Sequence, residues 1–285
     1  MADYYHVDGT LVPVEEATVS VRDRGFMYGD AAFETLRVYA GRPFAWKRHA
    51  DRLRRTCETL GFADALPGRE DLHERIVETV TANGLTDAYT KLSVTRGVQP
   101  GKLAPNSSVD PTIVVMVSEL PRGGVDGKPV WSEPATVETV ETRRIPDSAV
   151  PANAKTHNYL NGILARRESE GDEALLYSTD GYVTEGATSN CFFVRDGTLC
   201  TPTADLPLLP GVTRDEVLDI ARQEGIPVET GRYQRSDITS ATEVFLTNST
   251  WEVRPVIALD SQSFEVGPLT QRLQRAYDER IESLY

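Results

Sequence analysis

Lysine is scarce in this chain. Of its 285 residues 30 are Lys or Arg, and only five of those are lysine. Chemistry that needs a primary amine must draw on Lys47, Lys91, Lys102, Lys128 or Lys155. Cysteine is scarce too. Cys57, Cys191 and Cys200 are an odd number with no C-x-x-C spacing, which points to neither a disulfide framework nor a zinc site. Each reads as a small buried hydrophobe. The histidines His6, His49, His73 and His157 lie too scattered to suggest a metal. No run approaches the ~20 apolar residues that a transmembrane helix needs. Positive charge is short as well: 43 acidic residues outweigh the 30 basic ones, for a net charge of -13. That balance argues against a nucleic-acid binder, which needs a basic face for phosphates, and against a polybasic membrane-surface protein. The start, MADYYHVDGT, lacks the charged-then-apolar pattern of a secretory signal, so a cytoplasmic location is expected. The acidic, arginine-rich balance fits either adaptation to high salt or a compositional bias of the source.

What is present is a mixed pattern of strands and helices, with no internal repeat. Tyr4 to Val7 runs through Asp8-Gly9 into Leu11 to Val14, a hairpin signature. A second hairpin spans Phe33–Tyr39, Ala40-Gly41 and Pro43–Trp46. Lys47 to Leu60 reads as a helix with Leu53, Thr56, Cys57 and Leu60 on one face, arginines around the others, and Gly61 as its C-cap. A helix over Leu72 to Val80 and strands over Ala88 to Arg96 and Thr112 to Val117 follow. Leu120 to Lys128, rich in Pro and Gly, reads as a linker. Beyond it, strands near Val130 to Val137, Leu175 to Tyr177, Asn190 to Val194, Thr198 to Thr201, Glu243 to Thr247 and Val253 to Leu259 alternate with helices. Those helices are expected over Asn158 to Glu170, Thr213 to Glu224 and Leu269 to Leu284. The expectation is two α/β domains, 1–119 and 129–285, joined by a linker over 120–128. Ligands in such proteins often sit between domains.

Among the lysines, Lys47, Lys102 and Lys128 read as surface charge, and Lys91 sits inside a strand as a structural or pocket-lining residue. Lys155 differs. In PANAKTHNYLNG it stands at a junction of irregular chain and helix, where an element end could hold the amine partly desolvated as a nucleophile or base. On local sequence alone it reads more readily as an ordinary loop lysine. Asp23 and Asp30, near glycines, read as turn or capping carboxylates.

KTHNYLNGILA, VTEGATSNCFF, LLPGVTRDEVL and FLTNSTWEVRPV, in that order, resemble the fold-type IV pyridoxal-phosphate enzymes. That family contains branched-chain and D-amino-acid aminotransferases and aminodeoxychorismate lyase. RGFMYGDAAFETLRVYAG, FAWKRHADRLRRTCETLGF and TKLSVTRG in the first half fit the same family. The resemblance covers nearly the whole chain. It implies a small N-terminal domain, a larger C-terminal domain and pyridoxal 5'-phosphate between them. It also implies small-molecule amino acid and 2-oxo acid substrates and a homodimer or higher homo-oligomer.

By this resemblance Lys155 matches the lysine that forms the internal aldimine and shuttles the substrate Cα proton. Glu185 matches the acid facing the pyridine nitrogen, where a carboxylate favours the protonated ring. Arg52 matches the phosphate arginine, and Val212 and Thr213 the backbone donors at a helix N-terminus. Thr250 resembles the hydroxyl that completes the phosphate site, and Tyr159 the tyrosine that bonds the cofactor's ring hydroxyl. Arg96 is expected to read a substrate carboxylate, with Phe33 and Trp251 as apolar pocket walls; each reads equally as structure.

The branch is ambiguous. Tyr159 follows Lys155 by four residues, where branched-chain enzymes commonly use five. The Thr95-Arg96-Gly97 segment resembles the D-amino-acid and lyase branches, yet Val98 stands where the D-amino-acid branch usually offers a histidine. Three readings follow: an aminotransferase, an aminodeoxychorismate lyase that releases pyruvate, and a non-enzymatic relative. The last would be expected to lack Lys155 or Arg52, and both are present.

Overall fold

Alternating short apolar runs around Asp8-Gly9 fold as the expected hairpin, β1 (Tyr4–Val7) against β2 (Thr10–Pro13). The computed structural model describes residues 2–121 and 133–284, so most of the expected linker lies outside the described residues. The chain divides into two compact units, Met1–Pro129 with Ala154–Asn158 and Tyr285, and Val130–Asn153 with Tyr159–Leu284. The five residues around Lys155, placed with the second domain by the sequence reading, cluster with the first unit.

In the first unit, α1 (Arg24–Tyr28), β3 (Ala31–Tyr39), β4 (Arg42–Pro43), α2 (Trp46–Leu60), α3 (Arg69–Ala82), β5 (Ala88–Thr95) and β6 (Ile113–Glu119) follow the hairpin. The strands form one antiparallel sheet in the order β2-β1-β6-β5-β3-β4. α2 and α3 bury Leu53, Cys57, Leu72 and Ile76 against Leu36 and Leu92. Full burial of each such side chain contributes roughly 1.5–3 kcal/mol. The stripe of α2 is wider than its apolar residues suggest: His49 and Arg52 are buried beside Leu53 and Thr56. The helix C-terminus falls at Gly61, as expected.

Unit two holds β7 (Ala135–Thr139), α4 (Leu160–Glu168), β8 (Glu173–Tyr177), β9 (Val183–Gly186), β10 (Asn190–Arg195) and β11 (Thr198–Pro202). It continues with α5 (Val212–Gln223), β12 (Val228–Gly231), α6 (Arg235–Thr239), β13 (Glu243–Asn248), β14 (Glu252–Leu259), β15 (Gln262–Ser263) and α7 (Pro268–Glu282). Its main path runs β12-β11-β10-β13-β14-β7-β8-β9, with β15 beside β14. The β11–β12, β14–β7 and β7–β8 pairs are parallel, the rest antiparallel. Cys191 and Phe193 of β10 join one core cluster, while Phe192 stacks on Phe245 at 4.9 Å. A strand covered on both faces reads as a continuous apolar run, which is why CFFV carries no alternation. Short elements without their own periodicity, α1, β9, β12 and α6, were not legible in the sequence.

The loop after β5 turns at Gly97, whose φ is +81° and whose Cβ position lies 1.8 Å from the Asp110 carbonyl oxygen. Any side chain there meets both backbone strain and a backbone clash. Gly97→Ala is expected to destabilise the protein by about 3 kcal/mol or more, read as a lower denaturant midpoint. An unchanged midpoint would contradict the turn geometry.

Candidate active site

The first unit builds its share of the site on β3, β5 and the five residues Ala154–Asn158. That short segment is pinned by backbone bonds. Lys155 N donates to Thr56 Oγ1 of α2 at 3.1 Å, and Phe33 N donates to the Lys155 carbonyl at 3.0 Å. Thr156 bridges Ala32, and His157 N donates to the Ala31 carbonyl. Lys155 is thus fixed at its backbone on both sides. Its side chain is buried, 9% exposed, with Nζ 4.3 Å from the Phe33 ring centroid.

A second amine shares that ring. Lys91 Nζ of β5 stands 5.0 Å from the same centroid. Burial, then the Lys155 charge, lowers the Lys91 pKa. His157 meets the ring edge-on at 5.4 Å, and burial, then Lys91, pulls its imidazole down to about 4. Its Nε2 is buried without a hydrogen-bond partner. Lys91 has no acidic partner among the described residues.

Arg52 belongs to a buried array. Its Nε and Nη2 donate to the two oxygens of Glu34 at 2.8 and 2.6 Å, and His49 Nδ1 lies 2.7 Å from Glu34 Oε2. Glu34 is fully buried. Burial alone would raise its carboxyl, but Arg52 and His49 outweigh that and hold it at about 2. Burial lowers the His49 pKa against the opposing pull of Glu34.

Arg96 lies apart from this group. Its Nε donates to Asp30 Oδ2 at 2.7 Å, Nη2 donates to the Leu60 carbonyl at the end of α2, and the guanidinium covers Phe62 at 4.9 Å. Asp30 also receives Arg24 Nε, and Asp23 caps α1 through Gly25 N, so both carboxylates serve structure. The arrangement ties α1, β5 and α2 together; it fits a structural arginine better than the substrate reader expected from sequence.

In the second unit Glu185, on β9, is buried, with donors at both of its oxygens. Arg144 Nε reaches Oε1 at 2.7 Å, Leu209 N reaches Oε2 at 2.9 Å, and Asn190 Nδ2 lies 3.5 Å from Oε2. Asn190 Nδ2 also donates to the Leu209 carbonyl at 2.8 Å. Its Oδ1 faces Gly211, where a Cβ would stand only 2.0 Å away. Glycine is therefore required at the entrance to α5. Val212 and Thr213 follow as buried first residues of that twelve-residue helix, and its N-cap makes no side-chain bond. Uncapped first-turn amides with the helix dipole form an anion site. Thr250 sits in a turn organised by Asn248, whose Oδ1 receives Thr250 N, Thr250 Oγ1 and Trp251 N. Trp251 is half-buried against the core of its unit, with Arg254 4.9 Å from its ring. Tyr159 is the N-cap residue of α4.

Each unit by itself offers groups that suit pyridoxal phosphate: the first a buried, backbone-fixed amine, the second a buried carboxylate and an uncapped helix start crowded so closely that only glycine can precede it. Glu34, His49, Arg144 and Asn190 are not among the residues expected from the sequence, whereas Lys91 was open there as structural or pocket-lining. The spacing 49-52-53-56 could have exposed the first array, because it places His49 and Arg52 on the same stripe as Leu53 and Thr56.

The profile of the amino-transferase class IV family matches residues 31–259. A protein of Methanocaldococcus jannaschii described as a putative branched-chain-amino-acid aminotransferase is 35% identical, over 95% of this chain and 94% of its own. The aminodeoxychorismate lyase of Bacillus subtilis is 29% identical over 98% and 95%. Among solved structures, the branched-chain aminotransferase of Thermoproteus uzoniensis superposes with a TM-score of 0.89 at 30% identity, covering 98% of this chain and 94% of that one.

Proposed function

We propose that this chain, which belongs to the amino-transferase class IV family, uses Lys155 as its cofactor-bearing amine and Glu185 as the partner of the cofactor's ring nitrogen. It is a pyridoxal-phosphate-dependent enzyme that moves an amino group between an amino acid and a 2-oxo acid. When bound, pyridoxal 5'-phosphate supplies an electron-withdrawing ring that makes the substrate Cα proton acidic. The observation that carries the assignment is the Lys155 amine, held by its pinned backbone on the face of Phe33.

Lys155 then moves the proton at the substrate Cα. Glu185 holds a proton at the ring nitrogen, with Arg144 and the Leu209 amide keeping its carboxylate oriented. Arg52, the first amides of α5 at Val212 and Thr213, and the Thr250 hydroxyl hold the phosphate. Tyr159 holds the ring hydroxyl. Reduction of the holoenzyme with borohydride, followed by peptide mass spectrometry, is expected to place the cofactor on Lys155. An adduct on another lysine, or none, refutes the assignment.

For the substrate carboxylate we favour Lys91 over Arg96, since Arg96 is committed to Asp30 while Lys91 offers an amine beside Lys155 with no acid facing it among the described residues. Phe33, whose ring both amines approach, supplies an apolar wall, and Trp251, seated on its unit's core, is the weaker candidate for a pocket wall. Lys91→Met is expected to raise KM for amino acid and 2-oxo acid about tenfold or more, the worth of one charge-assisted hydrogen bond, with a smaller change in kcat. An unchanged KM returns the role to another residue.

The lyase reading is favoured by the Bacillus subtilis relative, which spans almost the whole chain. A panel of L- and D-amino acids with 2-oxo acids, run beside aminodeoxychorismate, separates the two. Reversible conversion of the cofactor to its amine form by a simple amino acid supports transamination and reports the donor's chirality. Pyruvate release from aminodeoxychorismate alone supports the lyase.

The homodimer implied by the resemblance belongs to the same proposal. Phe26, Met27, Val98 and Leu103 form an exposed apolar surface around α1, with Phe26 74% and Leu103 78% exposed, suited to cover by a second copy. Sedimentation at working concentration is expected to give at least a dimer; a monomer refutes it.

A further inference from the structure

We infer that Glu34 is a positioning residue for the cofactor phosphate: it fixes the plane and direction of the Arg52 guanidinium, and the loss of that orientation outweighs the favourable charge change its removal would bring. The inference rests on the proposal that Arg52 holds the phosphate, and deepens it.

A carboxylate near a bound phosphate dianion repels it, so a buried Glu beside the phosphate arginine is unfavourable on charge alone. Yet Glu34 has no exposure and meets Arg52 through both oxygens, Oε1 with Nε and Oε2 with Nη2. Two parallel bonds between planar groups lock the fork in one plane, where a single bond would leave it free to rotate. Glu34 comes from β3 and Arg52 from α2, so the pair also fixes the helix against the sheet. His49, one turn before Arg52, meets Glu34 Oε2 at 2.7 Å and locks the carboxylate in turn. The neutral imidazole donates Nδ1–H to it. The array of Glu34, Arg52 and neutral His49 therefore carries no net charge, although Lys155 adds a cation close by, felt by His49. A neutral array binds an anion by the placement of its donors rather than by its field, which makes placement the property to protect.

Two substitutions separate placement from charge. Glu34→Gln removes the negative charge and sets an amide N–H against one of the two Arg52 donors. Glu34→Asp keeps the charge but withdraws the carboxylate by one methylene, so that both bonds cannot form together. The full-length enzyme is prepared in its amine form, and the retention of pyridoxamine 5'-phosphate on dialysis is compared with that of pyridoxamine. Both variants are expected to release the phosphorylated form at least about tenfold more readily than wild type, the worth of one bond to a charged group, and to hold pyridoxamine as well as before. Retention by Glu34→Gln that equals or exceeds wild type shows that charge governs, and overturns the inference. Wild-type retention by Glu34→Asp overturns it too, as does an equal loss of both ligands, which marks a general structural defect. If Glu34→Gln fails to fold, Glu34→Asp alone decides. Arg52→Ala distinguishes the underlying proposal: wild-type retention there removes the phosphate role of Arg52 itself, whereas a loss there with none in Glu34→Asp removes only the role of Glu34.

Discussion

Lys155→Ala is expected to abolish turnover while leaving the phosphate contacts able to hold the cofactor without a covalent bond. The lost proton transfer alone is worth roughly 10²–10⁴ in rate. The neighbouring amine raises the question of a substitute, because Lys91 reaches the same aromatic ring at 5.0 Å against 4.3 Å for Lys155. What separates the two is the backbone. Lys155 lies in a segment tied to Thr56, Phe33, Ala32 and Ala31 in four consecutive contacts, outside any regular strand or helix. Lys91 points from the middle of β5, its Cα set by the strand pairing opposite Thr35 and Met116. An amine carried by a paired strand cannot move to the place of Lys155, five residues before the first residue of α4. Borohydride reduction of the variant is therefore expected to give no adduct at Lys91, and single-turnover mixing with an amino acid no formation of the amine form of the cofactor. Activity within tenfold of wild type would sink the assignment of Lys155, and an adduct at Lys91 would show that the pinned segment is not what selects the amine.

The parts of this molecule that the sequence announced are those with their own periodicity or punctuation. The amphipathic stripe of α2 with its Gly61 cap, the first hairpin around Asp8-Gly9 and the apolar strands β10 and β13 could be placed within a few residues. The five-residue α1, capped by Asp23 and closed at Gly29, is too short to show a period. The proposed site rests on motifs of residue types that the sequence displays, as with Lys155, Glu185 and the Gly211-Val212-Thr213 entrance. What a side chain meets across the fold was not legible there. Arg96 and Lys91 are five residues apart on one strand and its exit, and nothing local says that Asp30, sixty-six residues away, occupies the first and leaves the second. Glu34 and Arg52 present the same difficulty in reverse. Each looks like an ordinary charge in its own element, and their pairing is a product of β3 lying under α2.

Glu185→Gln is expected to lower kcat about 10–100-fold, the equivalent of one hydrogen bond to a charged group, with little change in KM. The substitution is isosteric, and its effect follows from the donors that surround the side chain. Arg144 Nε approaches one oxygen and the Leu209 amide the other, so each oxygen must accept. A glutamine has one acceptor to offer. If its oxygen faces Leu209, its N–H groups confront the Arg144 guanidinium; if it turns over, they confront the Leu209 amide. Either rotamer leaves a donor facing a donor, and Arg144 loses its only ion-pair partner among the described residues. The neutral amide would then neither be held in place nor favour a proton on the ring nitrogen, and the chemical step should slow while substrate affinity stays near wild type. Arg144→Met provides the complementary measurement. Glu185 keeps its charge and the Leu209 bond there, so kcat is expected to fall less than in Glu185→Gln. A Glu185→Gln enzyme within threefold of wild type would show that the ring nitrogen is served by another group, whereas a fall in Arg144→Met as deep as in Glu185→Gln would shift the decisive role from the charge of Glu185 to its orientation by Arg144.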